Sequence, residues 1–188
     1  IKGGRTVHEY WPKFKSVAVN VSIDGLHDTY EYIRGNGKFA DVEHNIKEMK
    51  KIPSVSRIVG AFTVQANNIL QIDKVIDYFL RDMEIVFYSH RVNYPRALSA
   101  QVLPEKLKQA VVVKLEAMKD KVKDYPIIQK HPVLEKITLR QIQDNINFLQ
   151  AKDLHQYWDD CVDFNRKLDE TRKQGPFEKI NPEFANYV

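Results

Sequence analysis

The amino-acid sequence predicts an α/β fold: about three parallel strands with helices over residues 1–100, followed by a helical region over 101–188. Three observations predict it. Segments of two-residue alternation are followed by segments of helical periodicity, and after Ser99 the alternation stops. The alternating segments are also two-sided, apolar on one face and small or polar on the other.

Residues 16–23 set Val17, Val19, Val21 and Ile23 against Ser16, Ala18, Asn20 and Ser22, the signature of a half-covered strand. Residues 57–65 repeat it, with Ile58, Phe62 and Val64 opposed to Val59, Ala61, Thr63 and Gln65. A third strand is expected at 84–89. Between the strands, Phe39, Val42, Ile46 and Met49 mark one amphipathic helix. Ile69, Ile72, Val75, Ile76 and Phe79 mark a second, with Asn67 or Asn68 as its N-cap. This order means βαβ units and a parallel sheet. Parallel strands covered on both faces are apolar throughout. Here one face gathers polarity toward the C-terminal ends, at Ser22, Asp24, Thr63, Gln65, Tyr88 and His90. The expectation is a curved sheet with helices outside and an inner face that lines a ligand cavity at its C-terminal edge.

In the second half, Pro104 and Glu105 open a helix over 104–122, with Leu107, Val111, Leu115, Met118 and Val122 inward. A linker with Pro126 and Pro132 comes next. Thr138 and Gln141 have the spacing of a capping box and read as the start of the next helix, which carries Leu139, Ile142, Ile146 and Leu149. Asp153 and Gln156 repeat that spacing before a last helix with Leu154, Trp158, Cys161, Phe164 and Leu168. Gly175-Pro176 stops it, and the tail reads as extended.

With 43% hydrophobic and 29% charged residues, the composition is that of a globular protein. Lys and Arg total 29 against 25 Asp and Glu, a net charge of +4 spread along the chain. The densest cluster, Lys47, Lys50 and Lys51, lies beside Glu43 and Glu48 and reads as a solvated helix face, so nucleic acid is not the expected partner. Apolar runs fall far short of the roughly 18 residues of a membrane span, and the charged opening after Ile1 shows no signal peptide. No membrane partner is expected, and a cytoplasmic setting is the default. Cys161 stands alone, which excludes a disulfide framework and a Cys-rich metal site and suits a buried small hydrophobe. His8, His27, His44, His131 and His155 have no metal-ligand spacing, and no metal ligands are assigned.

One stretch carries more than pattern. It runs Val21-Ser22-Ile23-Asp24-Gly25-Leu26-His27-Asp28, then Tyr32-Ile33-Arg34-Gly35, Gly37-Lys38-Phe39, and Val42 with Asn45-Ile46. These residues resemble the fourth strand, and the helix behind it, of the partial barrel of radical S-adenosylmethionine (SAM) enzymes. Lys2-Gly3-Gly4 is similar to the segment just after that family's third strand, and Phe87-Tyr88-Ser89-His90-Arg91 to the end of its sixth. Through Leu168-Asp169-Glu170-Thr171-Arg172 the chain resembles a marine, phage-associated subgroup of that family.

The resemblance implies an incomplete partial TIM barrel whose parent binds S-adenosylmethionine and a four-iron cluster. In the family, a Cys-x3-Cys-x2-Cys loop holds the cluster, which cleaves the cofactor and yields a radical that abstracts a substrate hydrogen. That loop is missing here, and one thiol cannot replace three thiolates. Neither cluster nor cofactor is therefore expected on this chain alone, and its substrate and catalytic residues stay unassigned. The resemblance does carry over part of the cofactor wall: Ser22 and Asp24 toward the ribose, Arg34 toward the carboxylate. A hydroxyl and a carboxylate at a strand end can hold ribose hydroxyls, and Arg can clamp a carboxylate. Gln65 and Asn67 are further candidates at the next strand end, as are Tyr88, His90 and Arg91 at the last, with His90 the candidate general base. Plainer readings stand beside these: Asp24-Gly25 as a strand-ending turn, and Asp28 with Arg34 as a surface ion pair.

Two functional classes are open: a piece of a radical SAM enzyme, inert alone, or a cluster-free α/β ligand-binding or interaction module. The start at Ile1, which reads as cut into rather than begun, favours the first. A phosphate-loop nucleotide domain lacks its Gly-rich motif. The missing strand would leave the edge at 16–23 bare, which natural proteins avoid. Either a twofold-related copy pairs there to give a homodimer, or residues 1–15 fold back with Tyr10, Trp11 and Phe14 as cover.

Overall fold

The computed structural model describes residues 6–35, 37–173 and 175–187, so the Lys2-Gly3-Gly4 likeness lies outside it. A short helix α1 (Val7–Tyr10) and a 3-10 turn precede strand β1 (Val17–Ser22). Helices α2 (His27–Arg34) and α3 (Phe39–Met49) lead to β2 (Val55–Val64), and α4 (Ile72–Asp77) to β3 (Val86–Arg91). The rest is helical: α5 (Glu105–Lys119), α6 (Pro126–Lys130), α7 (Val133–Ala151), α8 (Trp158–Arg172) and α9 (Phe177–Ile180). The fold is α/β with one three-stranded parallel sheet in the order β1-β2-β3. Among the described residues, no helix is long and apolar enough to cross a membrane.

The alternation seen in the sequence becomes two unlike faces. In register, Val21, Gly60 and Phe87 share one side, Phe62 and Ser89 the same side one step on. Gly60, Phe62, Val64, Phe87 and Ser89 are all buried there. The Phe79 ring, in the π-helical turn after α4 (Tyr78–Asp82), presses on this face, 6.0 Å from the Phe87 ring. A Cβ at position 60 would lie 2.3 Å from Phe79 Cε2, so only glycine allows the approach. One hydrophobic core runs from this face through Ile142, Trp158, Phe177 and Phe184, on both sides of residue 100.

The other side carries Asn20, Val59 and Val86 in one row and Ser22, Ala61 and Tyr88 in the next, then Thr63 and His90. Asn20, Ser22, Tyr88 and His90 are exposed, and the β2 residues between them are half-buried. The inner face expected to line a cavity is thus open to solvent along its flanks. Parallel sheets are normally covered on both sides, which makes this face unusual.

The sheet edges differ as well. Outside β3, Gln141 of α7 accepts from both Ser89 N–H and Ser89 Oγ at 2.9 Å each. Asn145 Nδ2 donates to the same Oγ at 2.9 Å. Outside β1 no strand of the described residues pairs. Trp11 is tied by its carbonyl to Ser54 Oγ at the start of β2, while Phe14 is 60% exposed and covers little.

Several local expectations are corrected. β3 begins two residues late, because Glu84 takes a left-handed φ of 40° and Ile85 N–H still bonds Phe79 O in the turn before it. Thr138 and Gln141 are not a helix start: α7 begins at Val133, and Gln141 is engaged on β3. Asn68 does not cap α4 but ties strand ends together. The tail is turned rather than extended, burying Phe177 and Phe184.

Candidate functional site

The C-terminal ends of β1 and β2 are built around one carboxylate. After Ser22 the chain turns through Asp24-Gly25, where a Cβ on Gly25 would stand 2.8 Å from Thr29 Cγ2. Helix α2 then carries Arg34 back so that its Nη2 lies 2.6 Å from Asp24 Oδ2. The other oxygen, Asp24 Oδ1, accepts Thr63 N–H at 3.0 Å. Asn68, fully buried, donates from Nδ2 to Asp24 O at 3.0 Å and to Thr63 O at 2.8 Å, and its Oδ1 accepts Gln65 N–H at 2.9 Å. Asp24 and Asn68 together staple the two strand ends, meeting the buried polar groups that the turn creates.

Of the expected site residues, Ser22, Asp24, Arg34 and Gln65 gather at this rim. The Arg34 partner is Asp24, not Asp28. Its side chain is still 38% exposed, so donors not used on Asp24 are reachable from solvent. Ser22 lies in register with Ala61 and Tyr88. Tyr88 and His90 stand edge to face on the open side, ring centroids 4.8 Å apart. A hydroxyl, a phenol, an imidazole and a tethered guanidinium thus share one accessible rim. Such a set can hydrogen-bond a polyol and hold an anion.

Two expected residues point elsewhere. Asn67 is buried, and its amide exchanges hydrogen bonds with Asn165 of α8, at 2.7 Å and 3.1 Å. Tyr32 Oη donates to Asn165 Oδ1 at 3.2 Å, and Asn181 Nδ2 to Asn67 O at 2.8 Å, so this amide cluster anchors the C-terminal segment to the sheet. Burial and the neighbouring Asp169 push the Tyr32 phenol well above its ordinary pKa. Arg91 pairs in register with Val64, on the covered side with Phe87 and Ser89, and its Nη1 is buried without a hydrogen-bond partner. The sequence pattern suggests only a capping role for Asn68 and none for Asn165 and Asn181. The signal available was an Asn at an otherwise apolar helical position, since Asn165 follows Cys161 by four on the inward stripe of α8.

Among the described residues no three His, Cys, Asp or Glu side chains are placed to hold a metal ion. Cys161 is buried, and desolvation pushes its thiol up to about 12, so it is a packing group at neutral pH. Comparisons with family models, curated proteins and solved structures found no match.

Proposed function

We propose that this chain is the C-terminal part of a radical SAM enzyme, a section of partial barrel that contributes one wall of the cofactor site. The observation that carries the reading is the open, polar face of a parallel sheet with Ser22, Asp24 and Arg34 at its C-terminal rim. In this reading Ser22 and the outer donors of Arg34 meet the ribose and carboxylate of SAM. Asp24 holds Arg34 in place and stitches β1 to β2. Tyr88 and His90 border the substrate side. The cluster does not fit this chain: it needs three thiolates, and the one cysteine is buried and protonated. Cofactor cleavage therefore depends on a segment carrying those thiolates, and the chain alone is inert.

The coding DNA that flanks this chain tests the proposal. An in-frame upstream segment with Cys-x3-Cys-x2-Cys supports it; an upstream stop codon followed by a start at this chain defeats it. Iron and sulfide analysis after anaerobic reconstitution adds a check on the isolated chain. No stoichiometric iron and no 5′-deoxyadenosine are expected, and about four irons per chain would contradict the division of labour.

One observation favours a second reading, a cluster-free ligand-binding or interaction module. Asp24 and Arg34 already satisfy each other, and Asn67 is engaged with Asn165, so these groups also work as fold-holding contacts. Under that reading the chain binds its ligand on the open face without any added segment.

A further inference from the structure

A second concave region lies at the opposite, N-terminal ends of β2 and β3. The end of α3, helix α6 and the first turn of α7 wall a cavity of about 580 Å³. That is within the range of small-molecule sites, roughly 300–1,000 Å³. Its floor is aliphatic: Ile58, Ile85 and Ile127 are buried, and Val86 and Leu134 half-buried. None of the described residues lining it is aromatic apart from the imidazole of His131 at the mouth, so there is little on which a planar base would stack.

The rim is cationic. Lys50, Arg57 and Lys130 surround it against the single carboxylate of Glu84, leaving a surplus of positive charge. Two of the cations are engaged: Lys130 pairs with Glu84, and Lys50 donates to Met83 O. Arg57 is exposed and forms no ion pair or side-chain hydrogen bond with the described residues. Val133, 73% exposed at the mouth, extends the apolar lining outward. A free guanidinium above an aliphatic trough matches a ligand with an anionic head and an alkyl body.

We propose that this cavity binds an aliphatic anion, a carboxylate or phosphate monoester on an alkyl chain, with the head on Arg57 and the chain over Ile85, Val86 and Ile127. The site stands apart from the SAM wall, at the other end of the strands, and does not rest on that reading.

Isothermal titration of the purified chain with sodium decanoate and with decyl phosphate, each below its micelle concentration, tests it. Decan-1-ol, decyltrimethylammonium and adenosine monophosphate serve as comparison ligands. Saturable binding of at least one decyl anion is expected, weakened tenfold or more in Arg57→Glu and unchanged in Arg140→Glu, which lies outside the lining. The preferred anion then identifies the head group. No saturable binding, equal binding of the cationic amphiphile, or indifference to Arg57→Glu in a variant with unchanged circular dichroism would each overturn the proposal. So would displacement of decanoate by adenosine monophosphate in preference to decyl phosphate.

Discussion

The two faces of the sheet part company within one residue of β2. Gly60 lies buried beneath the Phe79 ring, with no room even for a methyl group, whereas Ala61 looks toward a row flanked by exposed Ser22 and Tyr88. The covered face supplies the packing that holds the chain together. The open face presents polar groups to solvent. The edges repeat the contrast, since Gln141 and Asn145 seal β3 while no strand of the described residues pairs outside β1. The proposed barrel section would account for a parallel sheet that is covered on one side and sealed at one edge.

Substitutions at neighbouring positions should break the contrast if it is false. Gly60→Ala is expected to lose about 1–3 kcal/mol or more, because Phe79 must leave its place. Ala61→Val, one residue on, should stay within about 0.5 kcal/mol. Urea denaturation of both variants reads the difference, and equal losses would mean that both faces are packed.

At the edges, Gln141→Leu leaves Ser89 N–H and Oγ without their acceptor, at a cost of about 1–3 kcal/mol. Asn20→Lys on β1 should change stability by less than about 0.5 kcal/mol. It should nevertheless suppress self-association, because a charge on an open edge discourages strand pairing. Light scattering across a concentration series checks this: the parent chain is expected to dimerise through residues 16–23 and the variant to stay monomeric. A dimer that persists in Asn20→Lys would place the contact elsewhere.

Chemical labelling gives the smallest effect and leaves stability untouched. Buried Cys161, its thiol pushed up to about 12, should resist iodoacetamide at pH 8 until denaturant is added. His90 on the open face should react with diethyl pyrocarbonate in the native chain.

Where a segment's own period decided its structure, the sequence was legible. β1 alternates throughout and β2 does so from Arg57 on, after a register shift at its start, and the stripes of α3 and α5 turn inward as their spacing requires. Where a distant partner decided, local pattern misled. Gln141 has the spacing of a capping residue, but Ser89, far away in sequence, claims it. Asn68 stands where a helix cap belongs and binds two strand ends instead. Ser22, Asp24 and Gln65 were readable as neighbours because strand ends of a parallel sheet share one side, whereas Arg34, at the end of α2, entered only through the family resemblance. Tyr88, His90 and Arg91 could never share one face of a regular strand, and Arg91 is the residue alternation sends to the covered side.

Amide hydrogen exchange, followed residue by residue at a concentration where the chain is monomeric, tests the contrast between the two sheet edges most directly. In a parallel pair, the N–H groups of Val17 and Ile23 point to β2, which leaves those of Ala18, Asn20 and Ser22 pointing outward. Ser89 N–H points outward on the other edge but is bonded to Gln141. The expected result is fast exchange at Ala18, Asn20 and Ser22 and strong protection at Ser89, with the β1 amides becoming protected as the concentration rises. Protection of all three β1 amides in the isolated monomer would show that the edge is already covered, and that the two edges do not differ.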